Sequence, residues 1–223
     1  MKTSNKLLVG TVICIVLGIF SFAFMMRGAH QKALANPLAN ELRIDLKAMK
    51  YLNIEYNREV IFKRGDKFEI EVDKLYKDSI KVEYKGETLF LDVSKSIPVT
   101  IFLPNFPTVN FINKYYEDKL LVAKDDNIAT IFIDSSFQKG DFLATFQNNG
   151  RINFNKCHLD KIDIKGKEEV SVTLENSEVK QLNLDLPKYS SLGIVYTNIL
   201  SKNIVLGDSC SVNIIGNQSS FLK

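Results

Sequence analysis

The chain contains no tryptophan, only two histidines and only three cysteines in 223 residues. Each scarcity removes a class of chemistry. His30 and His158 are the whole histidine complement, and His30 lies close behind an apolar amino-terminal run. A Ser-His-Asp arrangement or a two-histidine metal site has almost nothing to build from. There is no Cys-x-x-Cys pair, no phosphate-binding glycine loop and no dinucleotide fingerprint. Gly207-Asp208-Ser209-Cys210 has the look of a serine-nucleophile turn, but lacks a base and reads as a corner. Cys14 falls in the apolar run. Cys157 and Cys210 take different positions in the repeat described below, so they read as unpaired thiols near turns.

Charge excess is also missing. The formal net charge is +3, and Lys2, Lys6, Arg27 and Lys32 contribute four positive charges to a stretch with no acid. With those set aside, the rest of the chain carries near-equal numbers of basic and acidic residues. No basic surplus remains to neutralise phosphates, so nucleic acid is not an expected partner.

What is present begins with Leu7 to Met26, LLVGTVICIVLGIFSFAFMM, a run without a charge. As a helix it would span about 30 Å, the thickness of a hydrocarbon core. It reads as a single-pass anchor that leaves the bulk of the chain in the periplasm. Ser21-Phe22-Ala23 keeps open a cleaved signal peptide and a secreted or surface-exposed body. The expected division is residues 1–26 as anchor or signal, 27–41 as linker and 42–223 as one β domain.

The last third repeats with a period of about 20 residues. Ile152, Val172, Leu192 and Val212 share one phase, and Phe154, Leu174, Ile194 and Ile214 share another. Leu159, Val179 and Ile199 keep the same step, as do Ile164, Leu184 and Ile204. A period of this length built from β-type apolar positions predicts stacked coils that cannot fold singly. Earlier runs such as Phe68-Ile70-Val72 and Leu89-Leu91-Val93 alternate apolar and polar residues, with turns at Lys63–Asp66 and Lys85–Glu87. Pro98, Pro104 and Pro107 should sit at strand ends. The expected fold is all-β, a right-handed parallel β-helix with about 20 residues per coil, behind one transmembrane helix; a β-sandwich is the alternative.

From Lys50 onward the order Tyr51–Ile54, Val60–Phe62, Gly65-Asp66, Phe68–Val72, Gly86–Leu91 and Pro98–Pro104 resembles the bacterial head-GIN domain, a family of candidate autotransporter adhesins. The resemblance covers about residues 42–216 and rests on strand and turn signals. It implies a β-helical fold and an envelope location, and it brings no reaction and no catalytic residues.

The phases also place the polar residues. Asp163, Asn183 and Asn203 fall in one outward column, and Cys157, Ser177 and Thr197 in a corner column. Asp160, Asp163, Glu175 and Glu178 form the one acidic region that could bind Ca²⁺ or act on a sugar, although Lys156, Lys161, Lys165 and Lys180 interleave with them. With no catalytic group and no cofactor expected, the chain reads as a non-catalytic, membrane-tethered envelope protein, with a polysaccharide lyase or hydrolase and a structural or regulatory component as alternatives. It would present a stacked surface to a protein or glycan, through Asp160, Asp163, Glu175, Glu178, Asn183, Tyr196 and Asn203. Open ends of the stack could recruit a second copy.

Overall fold

The computed structural model describes residues 41–56, 59–93, 97–113 and 130–216, together with Ile19, Ser21 and Arg27, which are helical. The chain divides into two compact units, residues 1–41 and 42–223. Among the described residues no helix is long and apolar enough to cross a membrane. The expectation of an inner-membrane single-pass anchor with a periplasmic body is corrected on that finding, because a span requires about 20 consecutive apolar helical residues. Apart from Ile19 and Ser21, the run 7–26 lies outside the described residues, as does most of the expected linker.

The second unit is all-β. Among the described residues, seventeen strands form two sheets, of nine and eight strands. The amino-terminal set is β1 (Glu41–Asp45), β2 (Tyr51–Tyr56), β3 (Glu59–Arg64), β4 (Glu69–Asp73), β5 (Ile80–Lys85), β6 (Thr88–Val93), β7 (Val99–Leu103) and β8 (Thr108–Asn113). The carboxy-terminal set is β9 (Thr130–Ile133), β10 (Asp141–Phe146), β11 (Gly150–Asn155), β12 (His158–Gly166), β13 (Val170–Glu175), β14 (Glu178–Leu186), β15 (Ser191–Val195), β16 (Asn198–Leu206) and β17 (Ser211–Ile215). The first sheet runs β1-β4-β7-β3-β9-β11-β13-β15-β17, and the second runs β16-β14-β12-β10-β8-β2-β6-β5.

From β10 onward the chain alternates between the sheets and returns to each at the step of the sequence repeat. Ile152 pairs with Val172, and Val172 with Leu192, in parallel strands; Ile164 pairs with Leu184, and Leu184 with Ile204. Such pairing puts identical phases one strand spacing apart, about 4.8 Å. The apolar columns predicted from the period are therefore real, and both sheets feed one core in which Ile152, Phe154, Ile162, Val172, Leu174 and Leu182 are fully buried. The two-sheet arrangement also fits the sandwich alternative.

The parallel order reaches further back than the visible period. β2 pairs in parallel with β6 on one side and β8 on the other, so Tyr51 lies between Thr88 and Thr108. By contrast, β4 against β7 and β5 against β6 are antiparallel. Aromatic rings fill the junction between the two sets. Phe106 stacks on Phe137 at 3.9 Å, and Phe142 meets Phe106 and Phe154 edge-on at 5.1 and 5.3 Å. Gly150 is required here, since a Cβ would stand 2.4 Å from the Phe146 ring.

Corners repeat with the strands. Lys156, Asn176 and Tyr196 hold positive φ at 55°, 49° and 46°, and Gly216 follows in phase at 123°. After each of the first three comes a small buried residue that closes the turn. The Ser177 hydroxyl donates to Glu175 O (2.8 Å) and accepts from the Cys157 N–H (3.0 Å); Thr197 accepts from the Ser177 N–H (3.2 Å). Thus each row satisfies a buried amide of the row before it. Ser177→Ala should destabilise the protein by about 1–3 kcal/mol through the orphaned Cys157 amide. Ser177→Thr, the residue found in the next row, should be near neutral, and urea denaturation distinguishes the two.

Candidate functional site

The outward face of the second sheet carries most of the expected site residues. β12, β14 and β16 are each bent at one phase, because pairing passes from Leu159–Val179 to Lys161–Gln181 and leaves out Asp160–Lys180. The same omission recurs between Lys180 and Leu200. Leu159 and Ile162 consequently both point inward, although they are three apart. Local bends of this kind redirect side chains, and here they separate two shallow outer grooves.

The first groove, about 360 Å³, is lined by Gln138, Lys139, His158, Asp160, Glu178 and Lys180 with Leu200 at its edge. Lys180 Nζ lies 2.6 Å from Asp160 Oδ1. The Lys180 ammonium holds the Asp160 carboxyl below the usual carboxylate range, and Asp160 in turn raises Lys180. A carboxylate clamped in this way is a poor proton donor near neutrality. His158 Nε2 approaches Glu178 Oε2 at 3.6 Å, and His158 is exposed.

The second groove, about 450 Å³, is lined by Asp163, Lys165, Gln181, Asn183, Asp185, Ser201 and Asn203. Asn183 donates to Asp163 Oδ2 at 3.5 Å along the column and receives Gln181 Nε2 at 3.4 Å across it. Lys161 pairs with Asp163 at 3.0 Å. The expected column Asp163-Asn183-Asn203 is therefore assembled in register.

The seven expected residues do not form one site. Asp160 and Glu178 line the first groove, and Asp163, Asn183 and Asn203 line the second. Glu175 ends β13 in the other sheet, where Asn176 Nδ2 donates to it at 3.3 Å. The left-handed corner at Asn176 turns the chain between Glu175 and Glu178, which is why their nearness in sequence does not bring these acids together. Tyr196 occupies the equivalent corner a row later and is 67% exposed. Among the described residues, no group of three His, Cys, Asp or Glu side chains could hold a metal ion.

Lys139, Lys180, Gln181 and Ser201 are lining residues that the sequence did not assign to a surface site. Lys180 carried a signal, since it stands one repeat after Asp160 with the opposite charge. Cys157 is buried, and burial pushes its thiol up to about 12, so it is no nucleophile at neutral pH. Cys157 and Cys210 are both free thiols.

No family model matches the chain, and the head-GIN resemblance stands on its motifs alone. No curated relative matches either. Among solved structures, a candidate adhesin from Bacteroides fragilis is 12% identical, with 77% of this chain and 95% of that chain covered and a TM-score of 0.37. A candidate lipid-binding protein from Parabacteroides distasonis is 9% identical, over 80% of this chain and 96% of that one, with a TM-score of 0.36. A candidate cell adhesion protein from Clostridium sporogenes is 14% identical, over 79% and 99%, with a TM-score of 0.27. At such scores these likenesses carry no argument about this chain.

The clamp between Asp160 and Lys180 has a direct readout. A carboxyl NMR titration should place Asp160 below 3.8, and Lys180→Met should return it toward that value. The sign follows from Lys180 stabilising the charged form. An unchanged midpoint in Lys180→Met would remove the ion pair as its cause.

Proposed function

We propose that this protein is a non-catalytic binding protein, adhesin-like in its working principle, whose rows are the coils of a right-handed parallel β-helix. Parallel pairing at one constant sequence offset, as in Ile152 with Val172 and Ile164 with Leu184, supports the coil reading. The whole of residues 42–223 then acts as one β domain and offers the outer face of its second sheet to a protein or glycan partner.

The observation that carries this reading is the groove built on the in-register column Asp163, Asn183 and Asn203. Its further lining by Gln181, Ser201, Lys165 and Asp185 supplies donors and acceptors at a fixed repeat and little apolar surface. That composition suits a hydroxyl-rich ligand, which gains directional hydrogen bonds and requires no deep apolar pocket. Catalysis finds less support. Asp160 and Asp163 are each held by a lysine, and Glu175 lies around a corner from Glu178. A retaining or inverting glycosidase needs two carboxyl groups facing across one bond.

The test is binding of the full chain to an immobilised panel of envelope polysaccharides, oligosaccharides and envelope proteins, with turnover followed in parallel. Asn183→Ala and Asn203→Ala should each weaken capture of the bound species by roughly tenfold, about 1.4 kcal/mol. Lys81→Ala, on the distant strand β5, should leave capture unchanged. Binding unaffected by both asparagine variants, or turnover of a bound polymer, would sink the proposal.

A further inference from the structure

Among the described residues the first sheet ends at β17 and the second at β16, and neither strand has a described partner on its outer edge. The core columns end there in partly uncovered side chains. Leu192 and Ile194 are 2% and 0% exposed, but Val212, the next residue in the Leu192 column, is 42% exposed. Ile214 has likewise lost the full burial of Ile194. An exposed edge with apolar inward side chains is a template for another strand.

The two edges are not alike. In the second sheet, Ile162 and Leu182 are fully buried in one inward column, and the residue paired with Leu182 in the last row is Lys202. An inward-phase charge on an edge strand opposes extension, because an added strand would bury it. The edge of β17, Ser-Val-Asn-Ile-Ile, contains no charge. The outer edges at the opposite end do: β1 holds Glu41, Arg43 and Asp45, and β5 holds Lys81, Glu83 and Lys85. Head-to-tail stacking would press those charges against the apolar end of another copy.

We infer that β17 pairs with β17 of a second copy, antiparallel about a two-fold axis at Asn213, and joins the first sheets of the two molecules. The strand is its own complement in this register. Val212 faces Ile214 of the second copy, so inward meets inward; Ser211 faces Ile215, and Asn213 faces itself. A two-fold contact closes on itself and forms a dimer, not a fibre. No like charges meet along the pair. Lys202 keeps the neighbouring edge from closing in the same way.

Sedimentation of the full chain over a range of concentrations, with site-directed crosslinking, tests the pairing. The chain should dimerise reversibly, and Val212→Lys should weaken the dimer at least about tenfold with an unchanged far-UV spectrum. Asn213→Cys should give a disulfide-linked dimer under mild oxidation, since directly opposed residues bring their Cβ atoms to about 5 Å. Asn153→Cys, in the same column but inside the stack, should not. Lys202→Leu should strengthen association or lengthen the assemblies. A chain that stays monomeric, a dimer indifferent to Val212→Lys, or equal crosslinking through both cysteine variants would overturn the proposal. So would a monomer that dimerises only after removal of residues 217–223, which would make that segment the occupant.

Discussion

Everything in the second unit depends on one constraint: a strand must meet its counterpart in the next row, in parallel and without slipping. A slip of one residue would turn every inward side chain outward. Main-chain hydrogen bonds alone do not prevent this, because they are indifferent to which residue they join. The register is held by what the pleat must bury, with Ile152 over Val172 over Leu192 in one sheet and Ile164 over Leu184 over Ile204 in the other. The corner hydroxyls add a second lock, since Ser177 and Thr197 reach the amide of the preceding row only when the rows are in phase.

That dependence explains which parts of the fold could be read from the sequence. Where rows are equal in length, the apolar positions recur at a fixed step and the columns are visible, as at Phe154, Leu174 and Ile194. In the amino-terminal half the same parallel pairing exists, but intervening segments of unequal length break the step. Tyr51 meets Thr88 and Thr108, and no period links those three. The strands β4 and β5 turn back antiparallel, which alternation of apolar residues alone cannot distinguish from parallel.

The polar surface was legible to a similar depth. Columns transferred directly, so Asp163, Asn183 and Asn203 meet as their phases require. Sequence proximity misled wherever a corner intervened. Glu175 and Glu178 look like a pair, yet the left-handed residue between them sends one to each sheet. The bend at Asp160, Lys180 and Leu200 left a weak trace, a step of three between buried Leu159 and Ile162 where a step of two would continue a strand. The apolar run 7–26 is the opposite case: its composition spoke for a membrane anchor, and no described helix has the length to be one.

Stacked rows also give the molecule a mechanical grain. Each interior row is tied to its neighbours by one ladder per sheet, with strands lying across the stack axis. A pull along the strands loads a whole ladder in shear, so its hydrogen bonds resist together. A pull along the axis separates one row from the next and meets only one pair of ladders at a time. The row formed by β16 and β17 has lost the full burial of the rows before it, with Val212 at 42% exposure and Ile199, Ile204 and Ile214 only half-buried. Axial tension would therefore open the protein from that end and leave the rows behind it in register, much as a zip parts from its loose end.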